Sequence, residues 1–288
     1  MRITNLMIQM NMTSGMQGRL AALAKASTQA STGVRVSTMS DDPVAASQIM
    51  RLNSQVADID QYRKNGTYAT TRLSTEDAAI TSLRDLLSKA KQLAMTTTAS
   101  DPNDPNRQAA LQQAQDLKNQ IVSLGNTQVG DQYIFAGDNS TVAPFQPDGT
   151  YVGYLNQQTV EINSGVSLAV NHPGQPLFTD AVYAVNTLIA QLASGTPAQI
   201  SATGTSIDSA TQGALGIQAD TGARMQDIQT AGTQLATQSS ALLDRRDSLQ
   251  NVDQATAIVE LQAQQTALQQ AYDVVGRVMQ TNLLDYLK

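Results

Sequence analysis

Residues that could carry proton or metal chemistry are few and scattered in this chain. Of 288 residues one is histidine and none is cysteine. That removes thiolate metal sites, Cys nucleophiles and disulfides, and any His-cluster metal site within one chain. The lone His172 precedes Pro173-Gly174, a turn context that predicts a surface histidine rather than a catalytic one. Asp41-Asp42 stand before Pro43, and Asp101 and Asp104 each precede a proline. An acid followed by proline is a helix start, so these carboxylates read as caps. Asp131, Asp138 and Asp148 flank glycine turns. They lack the alternating acids and trailing Glu of a calcium loop. Arg245-Arg246 lie between Asp244 and Asp247, which suits local ion pairs or an ion pair between subunits. There is no Gly-rich phosphate loop with Lys, no nucleophile elbow and no His-Glu zinc helix. The sequence therefore names no catalytic, cofactor-binding or metal residue, and an enzyme is not expected. The N-glycosylation sequons at Asn11 and Asn65 fall in predicted helices and are discounted.

Composition points to long helices instead. The net charge is -6 and aromatics are 4%, with no Trp. Nucleic acid and anionic membranes are poor partners for such a chain. Hydrophobic residues make up 41%, much of it Ala. No apolar run is long enough to span a membrane. The first forty residues hold Arg2, Arg19, Lys25 and Arg35 and no acid, but no continuous apolar stretch of a Sec-type signal. Leu6, Thr13, Leu20, Ser27 and Val34 form one row at sevens, with Met16, Leu23 and Ala30 as its companion. Half of this seam is small or polar, so it needs partner helices.

The spacing predicts a first helix ending near Gly33 and a second starting at Asp42-Pro43. Ile49, Leu52, Val56, Ile59, Leu73, Ile80, Leu83, Leu87, Ala90 and Ala94 keep helical spacing with no proline between. About fifty such residues would be a rod of roughly 75 Å. The prolines near residues 102 and 105 break it. A further helix through Ala114, Leu117 and Ile121 ends at Gly125, giving an αα-hairpin. Gln132 to Gly137 (QYIFAG) reads as a short strand, and the alternation from Val160 to Val170 as a hairpin. All three Phe fall between 135 and 178, predicting a compact β-rich insert with its own small core. A short amphipathic helix carries Val182, Val185, Leu188, Ile189 and Leu192. From about Ser206 the helical period runs to the end, with Ile228, Leu235, Leu242 and Leu249 at sevens. Offsets at Val252 and Leu261 read as stutters in one continuous seam.

The fold class expected is mainly α with an inserted β domain: a long antiparallel α-helical rod or coiled coil of the N- and C-terminal segments plus a small β-rich domain. Segments are an N-terminal assembly segment (1–42, disordered or helical in assembly), a rod and hairpin (43–130), the β-rich insert with its short helix (131–205), a C-terminal rod helix (206–245) and a C-terminal assembly helix (246–288).

Two stretches resemble the flagellin superfamily. Gln29 to Leu52 (QASTGVRVSTMSDDPVAASQIMRL) is similar to the family's N-terminal signature, a Ser/Thr-Gly-x-Arg-[IV] turn followed by acids that open the next helix. Asp247 to Lys288 resembles the closing helix, with its Asp-x-x-x-x-Val-Asp run; Gln254 departs from the usual apolar or aromatic residue. Asp42-Pro43, the DQYIFAG segment and the ending LLDYL resemble the junction-forming branch more than filament flagellins. The likeness covers roughly residues 1–140 and 205–288.

That resemblance implies a structural protein of the bacterial flagellum, extracellular and delivered by flagellar type III export. It implies a layer adapting the flexible hook to the stiff filament, with other copies of the chain in a ring. The adjoining partners implied are a neighbouring hook-associated protein layer and flagellin. A cytosolic export chaperone is implied at the C-terminal helix. The assembly interface expected comprises Leu6, Met16, Leu20, Leu23 and Val34 near the start. Near the end it comprises Leu268, Val275, Leu283, Leu284 and Tyr286. At about 25 cal/mol per Å² their burial could offset the ordering of the tails. A filament-forming flagellin, an enzyme hidden in the insert and an unrelated coiled-coil tether are the other readings.

Overall fold

The computed structural model describes residues 5–97, 99 and 101–286, with side chains from Met7 to Arg277 apart from Ile8. The fold is mainly α with a small β region. Among the described residues six helices occur in the order α1 (Asn5–Thr32), α2 (Pro43–Thr96), α3 (Pro105–Gly125), α4 (Leu177–Ser194), α5 (Pro197–Gln250) and α6 (Gln254–Tyr286). Between α3 and α4 lie two hairpins, β1 (Gln128–Val129) with β2 (Gln132–Tyr133) and β3 (Thr159–Asn163) with β4 (Val166–Ala169), both antiparallel. The chain divides into two compact units: one from the start to Asp58 together with Gln238 onward, the other Ile59–Thr237. Helices α2 and α5 contribute to both.

The long α2 forms because its apolar residues keep 3–4 spacing without a proline. Ile59, Leu73, Ile80, Leu83, Leu87, Ala90 and Ala94 are all buried. Within the unit Ile59–Thr237, Ile80, Leu83, Leu87, Ala90 and Ala94 join Ala114 and Ile121 of α3, Val185, Leu188 and Leu192 of α4 and Ile200 and Ile207 of α5 in one core, while Leu73 belongs to a smaller cluster with Ala69, Val170 and Ile228. Helix α3 starts where expected, Asp104 accepting the Asn106 amide at 2.8 Å. Arg107, fully buried, ties down the end of α4. Its guanidinium donates to the carbonyls of Leu192, Gln191 and Gly195, at the helix C-terminus where carbonyls run short of intrahelical donors.

Several expectations differ from the structure. Asp101, read as a helix cap, instead accepts the Asn103 amide in the turn before α3. The QYIFAG strand is only two residues long. Ile134 to Gly137 turns away as a buried loop, because Gly137 sits at φ +80° with the Tyr154 carbonyl where a Cβ would be. The β insert has no core of its own. Phe135 meets Phe178 edge-on at 4.6 Å, Phe145 meets Phe178 at 5.8 Å, and all three sink into the core of the helices. Around them Tyr151 is partly buried, and that burial raises its hydroxyl above the ordinary tyrosine value. Helix α5 begins at Pro197 rather than near Ser206. The C-terminal seam is two helices, broken at Asn251–Asp253, so the offset at Val252 is a turn and not a stutter. There Asp253 opens α6, accepting the Ala255 amide and the Thr256 hydroxyl.

Candidate assembly interface

The signature segment between α1 and α2 meets the turn between α5 and α6. Gly33, at φ +70°, ends α1 in the left-handed conformation that costs glycine least. The chain then pairs with the other turn. The Arg35 and Val36 amides donate to the Gln250 carbonyl, and the Val252 amide donates to the Gly33 carbonyl. Val34 sits opposite Asn251 in an antiparallel bridge. Arg35 crosslinks this knot, donating to the Leu249 carbonyl at 2.8 Å and to Asp42 at 3.1 Å. Asp42 also accepts the Ala45 amide as a helix cap. Asp41 does something different from capping: its carboxylate gathers the amides and hydroxyls of Ser37 and Thr38 and pairs with Lys25 at 2.9 Å. Those bonds, the Lys25 bond first, hold Asp41 far below the ordinary carboxylate range. The Ala45 amide and then Arg35 lower Asp42. Beneath the polar knot, Val36, Ala45 and Ile49 are buried, with Leu249 packed against them.

From this knot α1 and α6 pack on each other. On α1 the buried or half-buried residues include Met12, Met16, Leu23, Ala26 and Ala30. On α6 they include Ala257, Leu261, Gln264, Leu268, Ala271 and Val275. The α6 positions alternate fours and threes and the α1 positions keep the same frame with one gap of seven, the pattern of a two-helix seam. The expected interface residues therefore divide. Met16, Leu23, Leu268 and Val275 are half-buried in the pairing of α1 with α6. Val34 is half-buried at the knot. Leu20 stands 45% exposed. The side chains of Leu6, Leu283, Leu284 and Tyr286 lie outside the described residues.

Away from that pairing, several large apolar side chains stand exposed among polar ones. Met7 and Met10 on α1 are 56% and 65% exposed, and Val259 and Val274 on α6 are 65% and 58% exposed. Ile258 and Tyr272 add to the α6 surface. Arg246 pairs with Asp247 at 2.8 Å, the local form of the two ion-pair readings.

Sequence reasoning overlooked Arg35 and misplaced His172. Arg35 belongs to the recognised motif, but nothing in its spacing shows a bond to a carbonyl 214 positions away. His172 is buried, not at the surface. Among the described residues no group of three His, Cys, Asp or Glu could hold a metal ion. No described helix is long and apolar enough to cross a membrane.

Two family descriptions match these same helical regions. Residues 3–140 match the bacterial flagellin N-terminal helical region, and residues 205–287 the bacterial flagellin C-terminal helical region. The chain belongs to the flagellin superfamily. It resembles flagellar hook-associated protein 3 of Escherichia coli, 27% identical over 93% of this chain and 94% of that protein. It is 33% identical to the Salmonella typhimurium protein of the same name over 62% of this chain and 57% of that one. A solved structure of a putative flagellar hook-associated protein from Vibrio parahaemolyticus shares the fold. Its TM-score is 0.67 at 19% identity, covering 73% of this chain and all of the other. The chain is thus flagellin-like and structural, a flagellar hook-associated protein.

Proposed function

We propose that this chain forms the junction layer between hook and filament, polymerising through the α1–α6 pair. The observation that carries the reading is the two-sided character of that pair. One face of each helix is closed against the other, while Met7, Met10, Leu20, Val259 and Val274 keep apolar surface open to water. Burying such residues against copies of the chain releases free energy in proportion to area, at about 25 cal/mol per Å². A helical pair of this kind has its register fixed by the Arg35 knot and its outer face free for neighbours. Copies of the chain in a ring, a hook-associated layer on one side and flagellin on the other are the partners proposed. Leu6, Leu283, Leu284 and Tyr286 extend the same surface in this reading. Type III export to the cell exterior, with a cytosolic chaperone covering α6, belongs to the same proposal.

The family's filament-forming members are the second reading, since both matched regions are flagellin regions. The near full-length likeness to a hook-associated protein favours the junction. Electron microscopy of purified protein added to isolated hooks separates them. The junction reading expects growth to stop after a limited layer. Long filaments would instead make the chain a flagellin.

A further inference from the structure

The buried histidine is a better-built site than its surroundings require for packing. His172 lies just after β4, on the segment that returns toward α4, and is 7% exposed. Its Nδ1 is 2.5 Å from Glu76 Oε1 on α2, and its Nε2 is 2.8 Å from Asp220 Oδ2 on α5. Glu76 is itself 1% exposed, and its Oε2 is buried without a hydrogen-bond partner among the described residues. Arg72, one turn earlier on α2, sends Nη1 to Tyr68 Oη and Gln132 Oε1 rather than to Glu76. Asp220 pairs with Arg224 at 2.7 Å, and Arg224 also reaches the carbonyls of Ala169 and Asn171. Asn171 completes the fastening: its side chain donates to the Ile134 and Gly137 carbonyls and accepts the Gln158 amide. Residues 169–172 are therefore bolted to loop and helix alike by polar groups, beside the small apolar cluster of Ala69, Leu73, Val170 and Ile228.

The proton count decides what this arrangement is. A neutral imidazole has one N–H and one bare lone pair. With both ring nitrogens against carboxylate oxygens, a neutral ring would press its lone pair on an ionised oxygen. Two protons are needed across the two contacts. Asp220, held by Arg224 and half exposed, is the carboxylate that stays ionised. Burial works against its charge, but the His172 bond and Arg224 outweigh it and hold the group below the usual range. The second proton therefore lies on the short His172–Glu76 line, in the dry part of the cluster.

We propose that His172 and Glu76 retain a shared proton at neutral pH, and that this proton latches the β4 return segment to α2. The charged groups at the ring are Glu76 from α2 and Asp220 from α5, with Arg224 behind Asp220 and Arg72 one turn from Glu76 along α2. While the proton is held, Nδ1 and Oε1 attract. When it leaves on the alkaline side, two acceptors face each other in a buried site and the segment opens. Asp220 gives the ring an exposed edge through which the proton can exchange with water.

One histidine in the chain makes the test direct. Long-range nitrogen NMR of the full chain reads the protonation of both ring nitrogens, and hydrogen exchange, corrected for intrinsic rate, reads the segment. At about pH 7.5 a free imidazole is mostly neutral. The latch requires both ring nitrogens protonated, or one proton shared with Glu76, at that pH. It further requires protection of the Val170 and Gly174 amides to fall about tenfold or more at alkaline pH, the scale of one charge-assisted bond. The substitution Glu76→Gln supplies an amide donor to Nδ1, so one ring proton then suffices. That variant is expected to show an unshared, bare Nδ1 and protection that no longer depends on pH. A wild-type ring with an unshared bare nitrogen at about pH 7.5 and the segment still protected would overturn the proposal. So would a Glu76→Gln variant with the wild-type pH response.

Discussion

Arg107 and Arg35 show how one side chain can govern a helix end. Arg107 satisfies the α4 terminus from a fully buried position. Replacing it with Ala removes this buried, charged donor from the carbonyls, of which that of Gln191 keeps the Gly195 amide as a partner, and urea unfolding should report a loss of about 3 kcal/mol or more. Lys should rescue little, since an ammonium lacks the guanidinium fork. Arg35→Ala removes the bond to Leu249 and should cost about 1 kcal/mol. Hydrogen exchange at the Arg35, Val36 and Val252 amides, which close the knot, should rise in that variant while the rest of the chain is unchanged. The acids of the knot set its pH dependence. Asp41 and Asp42 are both lowered in the fold, so their stabilisation is complete above the unfolded carboxylate value of about 3.9. It is lost as pH falls through their lower folded values. Knot amides should therefore stay protected through mildly acidic pH and open only under strong acid. An Asp41→Asn variant should open at less acidic pH or be weakened throughout.

Elements were legible in proportion to how local their causes are. Asp42-Pro43 and Asp104-Pro105 are neighbours in sequence, and the helices begin there. The α2 stripe repeats often enough to show its period. The turn at Asn251–Asp253 was hidden because the apolar rows on either side both keep helical spacing, and no Gly or Pro marks the break. Its cause is long-range: backbone bonds from the Gly33 and Arg35 region hold it open. Asp253 was read as part of a motif, while its action is that of a cap. Asp253→Ala should cost about 1 kcal/mol, visible as faster exchange in the first turn of α6. The insert misled for a related reason. Clustered Phe suggested a separate core, but which helices receive Phe135 and Phe178 depends on the fold of the whole unit. His172 followed the same logic, since a His-Pro-Gly turn gives no sign of carboxylates 96 and 48 positions away.

At the scale of the molecule, the terminal helices pair with each other and leave several large apolar side chains exposed. Met16 and Leu23 belong to the pairing of α1 and α6, so Leu23→Asp should loosen that pair by about 1–3 kcal/mol. The sequence showed that both termini carry incomplete seams, because the rows are half small or polar. It did not divide the rows between partner helix and neighbouring subunit, since periodicity gives the angle around one helix and not the angle to another. Burial separates the residues that are half-buried, Met16 and Leu23, from those that face water, Leu20 and Val259. The most direct measurement is layer formation on isolated hooks by the Leu20→Asp and Val259→Asp variants, with thermal unfolding of each monomer run alongside. The account predicts monomers with unchanged unfolding that no longer add to hooks. Variants that fold normally and assemble like the parent chain would contradict it, because the exposed face of α1 and α6 would then not be the surface of assembly.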